Sequence, residues 1–141
     1  MKWVLRIIKI PFVEKKEIVW SVWQLLLIDR KLRKSGLVRT KRYLATSMKC
    51  PSTFFLHDDP RRISRTVHRA ATMSIGHKSS CLRKSLLVWS ILKHRAISSS
   101  LQLGMRSKDG DLTAHAWVEV NGVPINDFPS IRDAYQLTLA G

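Results

Sequence analysis

Acidic residues are scarce: 10 Asp plus Glu stand against 25 Lys plus Arg in 141 residues, a net charge of +15. Cysteine is scarcer still. Two cysteines cannot build a disulfide scaffold, and their low number suits a reducing compartment. The chain contains no Cys-x-x-Cys and no His-x-x-x-His unit. That weighs against zinc, although His77 lies four residues before Cys81, and Cys50, His57 and His68 lie upstream. No apolar run approaches the ~18 residues of a membrane span. The opening stretch Met1 to Pro11 is no secretory signal, because Arg6 and Lys9 interrupt it and no small-residue cleavage site follows. Helix-turn-helix glycine patterns, zinc-finger spacings and aromatic stacking boxes are all missing, so the basic charge does not mark a familiar nucleic-acid module. Internal repeats and low-complexity segments are absent too.

What is present is a globular balance, 45% hydrophobic and 25% charged. A chain of 16.2 kDa has room for one core. The charge is unevenly spread. Residues 1–100 hold 22 basic and 5 acidic side chains, a net +17, whereas residues 101–141 hold 3 and 5. The basic part is suited to nucleic acid, an anionic membrane or an acidic protein; its plainest reading is a solvated surface.

Residues 14–34 read as a long helix with Glu14 and Glu17 in the first turn and Arg30 to Lys34 in the last, stopped by Gly36. Its middle, Ile18 to Ile28, is apolar nearly all round and is expected to be buried. Trp3, Trp20 and Trp23 beside so many cations leave an interfacial membrane role as the alternative. A second basic helix spans residues 37–49 and breaks at Cys50-Pro51. Asp59 caps a third helix that Pro60 opens and Gly76 ends. Ser79 and Ser80 precede a fourth, from Cys81 to Arg95, with a stripe of Leu82, Leu86, Val88, Trp89 and Leu92. Period two then takes over. A strand runs from Ile97 to Met105, residues 106–111 read as a polar loop, and Ala114–Val120 alternates again. Asn121-Gly122 is a hairpin signal, Val123–Phe128 is the return strand, and residues 131–141 are ambiguous between a strand and a helical turn. Helices first, then a small antiparallel sheet, define an α+β fold.

Three residues in this frame can do chemistry together. Cys81 begins a helix, where unpaired backbone N–H groups and the helix dipole favour an anion, a thiolate included. His115 on a strand would act as general base, and Asp127 on the next strand would hold its tautomer. Side chains alternate along a strand, so a plain two-residue Asn-Gly loop would turn Asp127 away from His115. The triad therefore predicts a three-residue loop, Val120-Asn121-Gly122, with Gly122 in the left-handed conformation and His115 opposite Asp127. On residue types alone a packed cysteine and a structural histidine remain open.

The strings Cys81-Leu82-Arg83-Lys84-Ser85-Leu86, Leu103-Gly104-Met105, Ala114-His115-Ala116-Trp117-Val118-Glu119 and Asn126-Asp127 resemble the leader peptidases of lasso peptide biosynthesis. These are bacterial B-protein proteases with a transglutaminase-like (papain-like) fold. The resemblance covers about residues 63–128; residues 1–62 match only in being helical and basic. It implies a cysteine protease core over residues 63–141 with the basic region 1–62 packed on it. It places the nucleophile on Cys81, the base on His115 and the acid on Asp127, with no metal and no organic cofactor. The implied reaction removes the leader from a ribosomally made precursor peptide in the bacterial cytoplasm, before a separate cyclase closes the ring. The 80 residues before Cys81 lack a three-stranded β pattern. The chain therefore resembles the stand-alone protease, whose leader-recognition element is a separate protein; neither nucleic acid nor membrane is an expected partner. The competing readings are an acyltransferase or transglutaminase with the same triad, and a basic binding module in which Cys81 is incidental.

Overall fold

The computed structural model describes residues 9–56, 59–74 and 80–140. The first helix, α1 (Phe12–Thr46), is broken at Gly36, whose φ of 79° and ψ of 177° no helix contains. The expected stop thus falls at Gly36, and the second basic helix follows it directly. The expectation of all-round burial is corrected. Ile18, Leu25 and Ile28 are buried along one stripe with Glu17, Ser21 and Gln24, whereas Val19, Trp23 and Leu26 face outward. Only one side of α1 has helices to pack on, and burial needs a partner surface as well as apolar side chains. Buried Glu17 is satisfied by the Phe55 N–H at 2.7 Å. That bond turns the chain after Cys50-Pro51 back onto α1. There Phe54 and Phe55 meet Trp20 edge-on, at ring separations of 6.3 and 5.8 Å.

Helix α2 (Pro60–Ser74) starts where Pro60 and Asp59 place it, the Asp59 carboxylate accepting from Arg61 N at 3.1 Å. Its Ile63, Val67, Ala70 and Ala71 stripe is buried. The expected stop at Gly76 lies outside the described residues. Helix α3 (Cys81–His94) is capped by Ser80, whose hydroxyl accepts from Arg83 N at 3.2 Å; Ser79 lies outside the described residues. Ser85 to Leu92 are all buried, so α3 is the central helix, with α1 and α2 packed on it. Arg83 reaches Asp29 of α1 at 2.8 Å.

Strands β1 (Ser100–Lys108), β2 (Asp111–Val120), β3 (Val123–Pro124) and β4 (Gln136–Ala140) form an antiparallel sheet in the order β3-β2-β1-β4. A short helix, α4 (Ile131–Ala134), precedes β4. The α+β class is as the sequence implies. Two boundaries are corrected. Residues 106–111 are not a loop, because β1 and β2 pair out to Lys108 and Asp111 around a two-residue Asp109-Gly110 turn with φ of 53° and 83°. This end of the hairpin projects into solvent, and its polar composition reflects exposure rather than irregular backbone. The return strand is two residues long, not six. Leu101 and Val118, paired across β1 and β2, join the helical core. The alternating positions of β2, His115, Trp117 and Glu119, share the other face.

Candidate active site

Asp127 and His115 are in direct contact, Nε2 to Oδ2. The route to that contact differs from the expected one. Val120 pairs with Val123 and Glu119 with Pro124, so the loop is the two-residue Asn121-Gly122, both at positive φ. Continued regularly, that register would set Asp127 opposite Ala116 and on the wrong face. The ladder stops instead. Ile125 N still donates to Val118 O at 3.0 Å. Its companion bond, Val118 N–H to the facing carbonyl, is replaced by Val118 N–H to Asn126 Oδ1 at 2.8 Å. The Asn126 side chain occupies the place of backbone, and the chain leaves the strand one residue before Asp127. The odd step that the triad requires is supplied by this break rather than by the loop.

The other Asp127 oxygen, Oδ1, accepts from Phe128 N at 2.8 Å. An ionised carboxylate is acceptor-only, so the His115 nitrogen facing it carries the proton. In neutral imidazole that leaves Nδ1 as the acceptor, the state a general base needs. Trp117 and Tyr135 both pack against the ring, inclined at 27° with centroids 6.0 and 5.1 Å away, and against each other at 6.2 Å. Tyr135 fits because position 104 has no side chain: a Cβ on Gly104 would stand 2.6 Å from the Tyr135 Cβ. Behind Trp117, buried Glu119 accepts from the indole N–H at 2.9 Å and pairs with both nitrogens offered by Arg132. The Arg132 hydrogen bonds, then the indole N–H, hold the Glu119 carboxyl below the usual carboxylate range against the opposing effect of burial. Sequence reasoning missed Tyr135, which lies in the stretch read as ambiguous. The Leu103-Gly104-Met105 glycine in a strand interior was the available signal of a close approach.

Cys81 opens α3, half-buried, and among the described residues its thiol forms no hydrogen bond, with His115 or with any other group. Its helix is joined to the strand of His115 one turn later, through Ser85 to Ala116 O at 3.0 Å. The second cysteine, Cys50, lies far from this group in sequence and sits beside Pro51. Burial pushes its thiol up to about 11, with Arg95 acting in the opposite sense. Among the described residues, no group of three His, Cys, Asp or Glu side chains is arranged to hold a metal ion. His57 and His77, named above in weighing zinc, lie outside those residues. No helix among the described residues is long and apolar enough to cross a membrane. Beside the site, a cavity of about 290 Å³ between α2 and α3 is lined by Arg65, His68, Arg69 and Lys84 and reaches Asn126. Burial and the Lys84 charge both push the His68 imidazole below its ordinary value.

A helix opened by cysteine, packed on an antiparallel sheet that carries a histidine–aspartate pair, is the arrangement of papain-like and transglutaminase-like domains. The chain belongs to the transglutaminase-like superfamily, whose model matches residues 23–140. It is also similar to the Microcin J25-processing protein McjB of Escherichia coli, 43% identical over 56 residues. Those residues are 40% of this chain and 26% of that protein, so the likeness spans about a quarter of the relative's length. No solved structure matches the chain.

Proposed function

We propose that this chain is a cysteine endopeptidase that removes the leader from a lasso peptide precursor. The observation that carries the reading is the His115–Asp127 pair beside a helix that opens with Cys81. The likeness to a microcin-processing protein supports the substrate class. In this reading residues 63–141 are the protease core, and the basic residues 1–62 pack on it and contribute to docking. A separate leader-recognition protein presents the precursor, a separate cyclase takes the product, and the reaction is cytoplasmic. No cofactor enters.

The chemistry follows from the groups. His115 Nδ1 accepts the Cys81 proton, and the thiolate attacks the carbonyl carbon at the leader–core junction. Negative charge moves to the carbonyl oxygen, where unpaired N–H groups at the start of α3 stabilise it. The imidazolium, balanced by Asp127, protonates the departing core amine as the C–N bond breaks. A thioester joins the leader to Cys81. His115 then takes a proton from water, the hydroxide displaces the thiolate, and the leader leaves with a new C-terminal carboxylate.

The test is processing of a precursor peptide in the presence of its recognition protein, followed by mass spectrometry. The wild type yields free leader and core, and Cys81→Ala and Cys81→Ser yield neither while retaining the wild-type circular dichroism spectrum. Full processing by Cys81→Ala sinks the reading. An amine-trapped leader in place of a hydrolysed one would make the chain an acyltransferase using the same three residues.

A further inference from the structure

The structure assigns a positioning role to Ser85 and Asn126, resting on the catalytic reading of Cys81, His115 and Asp127. Ser85 is completely buried on α3, four residues after Cys81 and so on the same helix face one turn along. Its hydroxyl donates to Ala116 O at 3.0 Å and accepts from Asn126 Nδ2 at 2.9 Å. Asn126 Oδ1 in turn accepts from Val118 N at 2.8 Å. Ala116 follows His115 and Asn126 precedes Asp127. Ala116, Asn126 and Ser85 are therefore each one residue, or one helical turn, from a member of the triad.

The direction of every bond in the chain is fixed. Val118 N–H can only donate, so the atom facing it is the Asn126 oxygen. The Asn126 amide nitrogen must then face Ser85, and the single hydroxyl proton of Ser85 is left for the Ala116 carbonyl, which can only accept. The two backbone groups engaged, Val118 N–H and Ala116 C=O, point to the side of β2 where β3 has already ended. Ser85 and Asn126 thus close the edge that the short return strand leaves open, and in doing so they set helix, strand and aspartate in one frame. Ser85 belongs to neither the acid–base pair nor the nucleophile; it acts through the placement of Cys81 relative to His115.

The test measures the thiol itself and needs no precursor. In a Cys50→Ala background, the rate of Cys81 alkylation by iodoacetamide is followed from pH 5 to 9 for the parent, Ser85→Ala, Asn126→Ala, the double variant and Ser85→Thr, alongside melting curves. The expected parent profile keeps a large fraction of its rate in the acidic range because His115 holds the proton. Ser85→Ala and Asn126→Ala are each expected to lose that acidic limb by roughly tenfold or more in rate, since a misplacement of about 1 Å is costly to paired groups. The double variant loses no more than the worse single, because the two side chains act as one unit. Ser85→Thr retains the hydroxyl and restores the limb. If Ser85→Ala does not fold, Asn126→Ala, at a half-exposed position, and Ser85→Thr still decide. An acidic limb in the parent that persists unchanged in folded Asn126→Ala overturns the positioning role and leaves the triad standing. A parent profile of an ordinary isolated thiol overturns the triad, and the positioning role with it.

Discussion

His115 and Asp127 meet across a hairpin whose register, if continued, would hold them on opposite faces of the sheet. The contact exists because β3 ends at Pro124 and Asn126 takes over one backbone hydrogen bond of the ladder. Asp127 uses both oxygens, one for the His115 ring and one for the Phe128 N–H. An asparagine at this position has one accepting atom for two donors. Asp127→Asn therefore either loses the Phe128 contact or forces His115 into the tautomer that cannot take the Cys81 proton. The expected outcome is a fold of wild-type stability to within about 1 kcal/mol and a loss of at least a hundredfold in the rate of processing. Denaturant melts measure the stability and single-turnover cleavage at saturating precursor measures the rate; a rate within threefold of wild type would remove Asp127 from the mechanism.

Cys50 is expected to be dispensable. Burial holds its thiol at about 11, so it stays protonated through the neutral range and offers no nucleophile. Cys50→Ala should process the precursor at the wild-type rate, and labelling of the native wild type with a slight excess of iodoacetamide near neutral pH should modify a single cysteine. Peptide mapping that finds Cys50 modified first would contradict this.

The helices were legible because they rest on local signals, and the His115–Asp127 contact because the two residues stand on either side of an Asn-Gly hairpin signal. Asp59-Pro60 and Ser80-Cys81 mark helix starts by the capping chemistry the structure then displays. Gly36 marks a break because its backbone leaves helical space altogether. The errors share a different cause. The exposed faces of Trp23 and Val19 depend on which neighbours are available, which no window of residues contains. Residues 106–108 were misread because a solvent-exposed ladder has the composition of a loop. The return strand was misread because its end is set by a side-chain competitor, Asn126, acting on a strand eight residues away.

Glu119 gives the fold a dependence on acid. Its carboxyl lies below the usual range because Arg132 and Trp117 hydrogen-bond the charged form. A depressed folded-state value adds stability above the unfolded-state value, near 4.5, and that contribution fades as pH falls through the lower folded-state value. Arg132→Ala removes the largest cause and strands a buried carboxylate. The variant should melt below the wild type at pH 7, with the gap narrowing as pH falls and Glu119 takes up its proton. A gap that stays constant from pH 7 to pH 3 would show that Arg132 acts through packing rather than through this charge.

Gly104 tests the stacking around His115. A methyl group there would stand 2.6 Å from the Tyr135 Cβ and 3.0 Å from the Trp117 ring, so Tyr135 must move. Gly104→Ala is expected to destabilise the fold by about 2 kcal/mol through overpacking and to shift the imidazole proton resonances of His115, which lose the ring current of Tyr135. Tyr135→Gly, which removes that Cβ, should relieve the clash, so the double variant should lose less than the two single variants together. Additive losses in the double variant would place the cost elsewhere.

The basic surface should make processing sensitive to salt in a residue-specific way. Residues 1–100 carry a net +17, and the cavity lined by Arg65, His68, Arg69 and Lys84 lies beside Asn126. An acidic segment of the leader or of its recognition protein docked there would be attracted over about 10 Å at 0.1 M salt and over only about 3 Å at 1 M. Raising salt through this range should therefore increase KM while leaving kcat unchanged, since the catalytic contacts are short. Arg65→Gln combined with Lys84→Gln should flatten the salt dependence. Arg61→Gln combined with Lys108→Gln removes the same charge from outside the cavity and should preserve it. If both pairs flatten it equally, the attraction is a property of net charge and the cavity is not the docking place. If KM does not change with salt at all, the basic region does not dock the substrate complex.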